Sequence, residues 1–149
     1  MKQAGKEFML SGMNAQNIEA ARRVYGMITN IDDNVGKLMA SLRQEGLLNN
    51  TLVIFMSDNG PAQPRFKLGL RGQKASVYEG GIKVPCFFYY KGFKTAEISE
   101  TLSGMDVLPT ILDMLDIPAE KGPGQPDGIS FLPLLEGERS GNRSNIFKN

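Results

Sequence analysis

Apolar residues recur at steps of three and four along the early part of the chain, which is the spacing that places one apolar stripe on a helix. The pattern predicts a long helix over residues 16–45. Asn14 or Asn17 can cap its start, and Gly46 can end it in a left-handed conformation. Residues 1–13 show no clear period and are expected to be a loosely ordered lead-in. The stripe comprises Ile18, Ala21, Tyr25, Ile28, Ile31, Val35, Leu38, Met39 and Leu42.

Two short apolar runs follow this helix, at residues 52–56 and 84–90, with Pro85 at the entry of the second. Continuous apolarity, in contrast to alternation, is typical of strands buried on both faces of a parallel sheet. The intervening residues 57–83 are rich in glycine and polar groups and have no period. A loop of this length in a compact chain is usually functional or disordered.

The rest of the chain predicts a short helix over residues 106–115, a loop over 116–130 and one helical turn over 130–135. The order helix, strand, loop, strand, helix fits an α/β sandwich. So few elements make an incomplete one. The sequence therefore predicts an α/β fold that contains only some of the layers of a complete sandwich.

Composition and charge narrow the possible partners. The chain has 149 residues, of which 41% are hydrophobic, so it has room for one domain with a core. Its net charge of +1, from 17 basic and 16 acidic residues, argues against binding nucleic acid or a membrane surface. No apolar run approaches the roughly 20 residues needed to cross a bilayer. The start, MKQAGKEFML, has no apolar core typical of a signal peptide.

The chain contains no histidine and one cysteine, and this excludes several kinds of site. Zinc sites usually need imidazole or thiolate ligands, and Ser-His-Asp or Cys-His catalysis needs a histidine base. A metal bound by this chain should therefore be a hard cation held by oxygen. Cys86 lies within a predicted strand and is expected to be a core thiol. A lone cysteine forms no internal disulfide, which leaves the cellular compartment open.

Asp58 and Asn59 directly follow the first predicted strand. Open α/β sheets place their sites at the carboxyl ends of strands, and a carboxylate and an amide carbonyl suit calcium or magnesium. The alternative is an ordinary turn, since Asp-Asn-Gly is common turn chemistry. On these residues alone, the turn is the more economical interpretation.

Arg71 and Lys74 lie in a loop punctuated by glycines. Lysine is a compact charge with mobile donors and suits a tetrahedral oxyanion, while Gly80 and Gly81 permit backbone angles that other residues cannot reach. The alternative is a solvated basic loop, the usual fate of surface lysine and arginine.

Taken together, SDNGP (57–61) and LRGQKASVYEGGIKVP (70–85) resemble the sulfatase family of the alkaline phosphatase-like superfamily. Several linked motifs are far more specific than one, and the resemblance covers about residues 18–140. Related superfamily members that hold two zinc ions place histidine after the aspartate, where this chain has Asn59. Further segments match in the family's order: YGMITNIDDNVG (25–36), NTLVIF (50–55), MDVLPTIL (105–112) and DGISFLPLL (127–135).

The resemblance implies a fold and a position within it. It implies a partial three-layer α/β/α sandwich with a mainly parallel sheet, as in alkaline phosphatase. Residues 1–149 are then a single partial domain, the carboxyl-terminal portion of a sulfatase catalytic domain. An incomplete sheet exposes an edge, so self-association through that edge is possible.

The resemblance also implies roles for particular residues. Asp58 and Asn59 match positions that supply two ligands to the family's calcium ion. Lys74 matches the lysine that contacts the substrate sulfate and stabilises its charge. Arg71 and Glu79 match positions expected to order the loop.

Two residues beside Lys74 depart from the family's pattern. Gln73 and Ala75 stand where small, glycine-like residues are expected. These two residues bear on the shape of the loop backbone and not on the role of Lys74.

The implied activity is hydrolysis of a sulfate ester by a formylglycine nucleophile, which the family makes from a C/S-x-P/A-x-R motif. Cys86 is not followed by that pattern, so the nucleophile is expected upstream of residue 1. Residues 1–149 alone are then expected to be inactive and to bind calcium weakly or not at all. Family members suggest a periplasmic or secreted location. Two alternatives stay open: a truncated, non-catalytic binding or interaction module, and a phosphate or phosphonate ester hydrolase of the same superfamily.

Overall fold

The computed structural model of the chain describes residues 14–63, 69–119 and 125–138. The chain divides into two compact units, residues 1–91 and residues 92–149, which are taken in turn. The predicted lead-in at 1–13 lies outside the described residues. The expectation of a single partial domain stays a prediction.

The first unit begins with helix α1, Ala15–Gln44, which confirms the long helix predicted from the apolar period. Asn14 caps its start, because its side-chain oxygen accepts the Asn17 N–H at 2.8 Å. Gly46 follows the helix with φ of +72°, and the Leu47 N–H donates to the Leu42 carbonyl at 2.8 Å. This is a Schellman ending, in which the glycine takes the left-handed position.

The apolar stripe of α1 is only partly covered. Ala21 is buried, and four other residues of the stripe are half-buried: Ile18, Val35, Met39 and Leu42. None of the described helices combines the length and apolarity that a bilayer crossing requires. Among the described residues, no element covers the exposed part of the stripe, which comprises Tyr25 at 41%, Ile28 at 52%, Ile31 at 46% and Leu38 at 52%.

The two predicted strands are present and pair with each other. Strand β1 is Val53–Met56, strand β2 is Cys86–Tyr89, and the pair is antiparallel. The apolar runs alone favoured parallel neighbours. A parallel pair needs a long crossover, usually a full helix, whereas the segment between β1 and β2 contains, where described, only the four-residue helix α2, Glu79–Ile82. That short helix also interrupts the loop predicted over 57–83.

The prediction that both strands are buried on two faces is wrong for the described part of the chain. Phe55, Phe87 and Tyr89 are 41%, 63% and 41% exposed, and Cys86 is exposed instead of being a core thiol. Partial burial nevertheless raises the pKa of the Cys86 thiol above its ordinary value. Apolarity sets which face a strand can bury, but burial needs a covering layer, and the described residues do not provide one.

The second unit contains helix α3, Val107–Met114, and helix α4, Leu132–Leu135, both at the predicted places. A 3₁₀ turn, Gly104–Asp106, precedes α3. Among the described residues of this unit, the buried apolar side chains are Phe131, Leu134 and Leu135. The core of this unit therefore lies at α4 and at Phe131 just before it, where α3 packs against α4.

Asp106 is the buried polar centre of the second unit, with 1% of its surface exposed. Its carboxylate accepts the Ser103 N–H and the Ile129 N–H, each at 2.8 Å. The Thr110 hydroxyl donates to the Asp106 carbonyl at 2.6 Å and accepts the Phe131 N–H at 3.0 Å. These bonds tie the start of α3 to the segment that leads into α4.

We expect Asp106→Ala to lower the free energy of unfolding by about 2 kcal/mol, because two backbone N–H groups lose a charged acceptor. Both hydrogen bonds are only partly buried, which keeps the loss moderate. Denaturant unfolding measures the effect. Asp113→Ala is the matched control: the carboxylate of this exposed aspartate accepts, in the described part of the chain, the Ser130 hydroxyl alone, at 2.6 Å, so its loss should cost less than about 1 kcal/mol. Equal losses in the two variants would show that the Asp106 carboxylate does not hold the start of α3 to the segment before α4.

Candidate functional site

The candidate site starts where β1 ends, at the turn Ser57–Gly60. The Ser57 hydroxyl donates to the Asn59 carbonyl at 3.1 Å, which closes the turn on itself. The Gly60 N–H donates to the Gly81 carbonyl at 2.8 Å. The turn predicted from Asp-Asn-Gly is thus joined to α2.

Gly60, Gly80 and Gly81 are buried and packed backbone against backbone. A Cβ on Gly60 would lie 2.0 Å from the Gly80 carbonyl oxygen, and one on Gly80 would lie 2.5 Å from the Arg71 carbonyl oxygen. The prediction that Gly80 and Gly81 supply unusual backbone angles is wrong. Both lie within helix α2, and close approach of the chain is what excludes a side chain there.

The lysine-bearing loop forms a tight turn over Gln73–Ser76. The Ser76 N–H donates to the Gln73 carbonyl at 2.9 Å, and Lys74 and Ala75 occupy the two central positions. Ala75 has φ of +69°, the left-handed value that the third residue of a type II turn requires. A non-glycine residue pays about 1–2 kcal/mol for it. The departure from a glycine-like residue at Ala75 is therefore a source of backbone strain.

This turn is attached to the Asp-Asn-Gly turn through main-chain contacts. The Lys74 N–H donates to the Pro61 carbonyl at 3.0 Å, and the Gly80 N–H donates to the Arg71 carbonyl at 2.7 Å. The Arg71 guanidinium lies 3.8 Å from the centre of the Tyr78 ring, a favourable cation–π distance. Arg71 thus contacts the loop itself.

Glu79 occupies the first turn of α2, where its carbonyl accepts the Lys83 N–H at 2.8 Å. A carboxylate in a first helical turn faces unpaired backbone N–H groups. Glu79 therefore lies at the base of the loop, one residue before the closely packed glycines.

The structure brings Asp58, Asn59 and Lys74 into one neighbourhood. The Asn59 amide donates to the Asp58 carboxylate. That hydrogen bond is the main cause that holds the pKa of Asp58 below its ordinary value, and the positive charge of Lys74 acts in the same direction. Both charged side chains are exposed. Asp58 is therefore ionised at neutral pH and lies within the field of Lys74.

The Asn59 side-chain oxygen is buried and has no hydrogen-bond partner among the described residues. Buried polar atoms are nearly always satisfied, and an exception commonly marks an ion or water site. Next to the ionised Asp58, this oxygen fits a hard cation such as calcium, which takes carboxylate and amide oxygens. The described residues contain no cluster of three or more acidic, histidine or cysteine side chains that would hold a metal. Asp58 and Asn59 offer two oxygen-bearing side chains, fewer than the six to eight oxygens that calcium takes.

Ser76 was not predicted from the sequence as part of the site. Its hydroxyl accepts the Gln73 N–H at 3.2 Å, so it closes the turn that carries Lys74. The available signal was a serine two residues after a lysine in a glycine-punctuated loop, since serine hydroxyls commonly bond to nearby backbone groups. That signal is too common to single out one serine.

Comparison with known proteins gives a consistent result. A protein-family model described as "Sulfatase" matches residues 3–117. The N-acetylglucosamine-6-sulfatase of Bos taurus is 39% identical over 119 residues, which cover 79% of this chain and 20% of that protein. The chain therefore spans about a fifth of the length of this curated relative.

Solved structures show the same similarity. The crystal structure of Ps i-CgsB in complex with k-i-k-neocarrahexaose matches with a TM-score of 0.68 and 30% identity, over 76% of this chain and 26% of that one. The PsFucS1 sulfatase from Pseudoalteromonas sp. matches with a TM-score of 0.64 and 32% identity, over 76% and 25%. The α/β fold of this chain therefore matches about a quarter of each of those two chains.

Proposed function

The chain belongs to the sulfatase family, and from this membership we propose that it forms part of the catalytic domain of a sulfuric ester hydrolase. Its partial α/β fold is that of its structural neighbours. The full-length protein that contains it is here called the parent protein. We assign to this chain one portion of the parent protein's site for calcium and for the sulfate group.

The observation that carries this proposal is that Asp58, Asn59 and Lys74 lie on two turns that are linked by a main-chain hydrogen bond, Ser57–Gly60 and Gln73–Ser76. Asp58 and Asn59 follow β1 directly, and the Lys74 N–H is bonded to the Pro61 carbonyl at 3.0 Å. The hydrogen bond from the Asn59 amide and, less strongly, the Lys74 charge lower the pKa of Asp58, so Lys74 acts on Asp58 electrostatically. A carboxylate, an amide oxygen and an ammonium group at one place suit a cation and an oxyanion bound side by side.

Asp58 and Asn59 would hold the calcium ion through their side-chain oxygens. When bound, such an ion supplies a positive charge that stabilises negative charge on the sulfate group. The Asn59 amide already orients the Asp58 carboxylate by donating to it. The remaining oxygen ligands, of the six to eight that calcium takes, would come from other parts of the parent protein.

Lys74 would contact the sulfate group itself. Its side chain is exposed, and it forms no ion pair with another residue in the described part of the chain. A lysine ammonium offers three mobile donors, which suits the tetrahedral sulfate oxygens. Charge that develops on the sulfate and on the leaving oxygen would be stabilised there.

The nucleophile would come from outside residues 1–149. The single cysteine, Cys86, lies in β2 within the sequence VPCFFYY, which lacks the Pro-x-Arg continuation. The chain has no histidine to act as a general acid. We therefore assign the formylglycine and the proton-transfer groups to the rest of the parent protein.

Hydrolysis of matched aryl esters tests this function. We expect the parent protein to release sulfate from an aryl sulfate much faster than phosphate from the corresponding aryl phosphate. Asn59 stands where two-zinc phosphatase relatives place histidine, which supports the sulfate preference. Purified residues 1–149 should release neither product. A faster reaction with the phosphate ester, or sulfate release by residues 1–149 alone, would contradict the proposal.

A further inference from the structure

We propose that Ser76 is a positioning residue for Lys74: its hydroxyl holds the turn Gln73–Ser76 in the shape that presents the lysine beside Asp58. This inference rests on the proposed function of Lys74. Ser76 touches neither Asp58 nor Asn59 through any described hydrogen bond, and its described contacts are with the loop and with Gly81 in α2. Its effect on the reaction is therefore exerted through the lysine.

The backbone on either side of Lys74 is fixed by three hydrogen bonds. On the side toward β1, the Lys74 N–H donates to the Pro61 carbonyl at 3.0 Å. Across the turn, the Ser76 N–H donates to the Gln73 carbonyl at 2.9 Å, and the Gln73 N–H donates to the Ser76 hydroxyl at 3.2 Å. Ser76 thus provides both contacts that close the turn, one from its main chain and one from its side chain.

The turn needs this second contact because Ala75 resists the conformation. Ala75 has φ of +69°, and alanine disfavours the left-handed region that glycine enters freely. A turn with glycine at this position would form with one hydrogen bond and no strain. Here the Ser76 hydroxyl offsets the strain at Ala75.

The surroundings of Ser76 couple the turn to α2. A Cβ added to Gly72 would lie 2.2 Å from the Ser76 side-chain oxygen, and one added to Gly81 would lie 2.8 Å from it. The hydroxyl therefore lies between the two glycines, where a small side chain fits. Since the Gly60 N–H donates to the Gly81 carbonyl, the serine contacts the same backbone that anchors the Asp-Asn-Gly turn.

Removing the hydroxyl should leave the protein folded and the lysine poorly placed. We expect Ser76→Ala in the parent protein to lower kcat/KM for an aryl sulfate by about five- to tenfold, since one net hydrogen bond governs how often the turn forms. Ser41→Ala on the exposed face of α1 is the matched control and should leave kcat/KM unchanged. Thermal melting of both variants shows that they are folded.

Two further variants separate positioning from a general structural role. In a Lys74→Ala background, Ser76→Ala should change kcat/KM by less than about twofold, because no lysine is left to place. In a Ser76→Ala background, Ala75→Gly should restore at least half of the lost activity on a logarithmic scale, because glycine adopts the turn without strain.

The outcomes distinguish this inference from the proposed function. If Lys74→Ala retains full activity, the function assigned to Lys74 fails, and the positioning role fails with it. If Lys74→Ala loses activity while Ser76→Ala has no effect, adds fully to Lys74→Ala, or is not rescued by Ala75→Gly, the positioning role alone is rejected. A loss of about five- to tenfold that vanishes in the Lys74→Ala background and is rescued by glycine supports it.

Discussion

Replacing Lys74 with alanine in the parent protein is expected to lower kcat for an aryl sulfate by about two to three orders of magnitude, as loss of one preorganised charge-stabilising donor typically does. The lysine side chain is exposed and forms no ion pair with a described residue. Its truncation therefore breaks no ion pair in that part of the chain. The loss should appear in turnover and leave folding intact.

Matched variants test this loss. Lys83→Ala removes an exposed lysine from the same unit and should retain activity within about twofold. Lys74→Arg should recover only part of the rate, since a planar guanidinium replaces a compact charge at a tetrahedral group. A Lys74→Ala variant that is folded, loaded with metal and within a few-fold of the original rate would remove Lys74 from the site.

Gly60→Ala is expected to have the largest effect on stability, lowering the free energy of unfolding by about 3 kcal/mol, at the upper end for forced overpacking. An added Cβ would lie 2.0 Å from the Gly80 carbonyl oxygen, and the obstacle is backbone, which cannot rotate away. To accept it, the Asp-Asn-Gly turn must separate from α2 and lose the hydrogen bond from the Gly60 N–H to the Gly81 carbonyl. Sulfatase activity should fall with stability.

Gly26→Ala and Gly36→Ala provide the control for Gly60→Ala. Both glycines lie within α1, and an added Cβ would meet nothing within 4 Å. Alanine is a better helix former than glycine by roughly 0.5–1 kcal/mol, so these two changes should stabilise the protein slightly. Denaturant unfolding of all three variants measures these changes. An unchanged free energy of unfolding for Gly60→Ala would mean that the Asp-Asn-Gly turn is not packed against α2 as described.

The helices of this chain were predictable because their signals are local. The three- and four-residue period, Asn14 and Gly46 placed α1 within about a residue of its observed bounds. Burial and pairing were not predictable, because both depend on what lies across from an element. The apolar runs around Phe55 and Phe87 predicted the strands, and they could not indicate an antiparallel partner or an uncovered face.

In the candidate site, too, local motifs were predictable from the sequence and contacts between distant segments were not. Asp58, Asn59 and Lys74 were identified by motif, and the structure places them together, while their roles stay proposals. Sequence could not show that the Asn59 oxygen is enclosed with no partner in the described part of the chain, nor that the Asp106 carboxylate accepts an N–H from a residue 23 positions away. Such contacts arise only once distant segments have packed.

Calcium titration by calorimetry tests the central claim, that Asp58 and Asn59 form part of a shared metal site next to Lys74. Two oxygen-bearing side chains cannot complete a shell of six to eight ligands, so residues 1–149 alone should bind calcium at about millimolar affinity or weaker. The parent protein should bind one calcium ion far more tightly, and Asp58→Ala should abolish that binding, whereas Asp32→Ala on the exposed flank of α1 should not. Tight binding by the parent protein that survives Asp58→Ala, or micromolar one-to-one binding by residues 1–149 alone, would contradict the account.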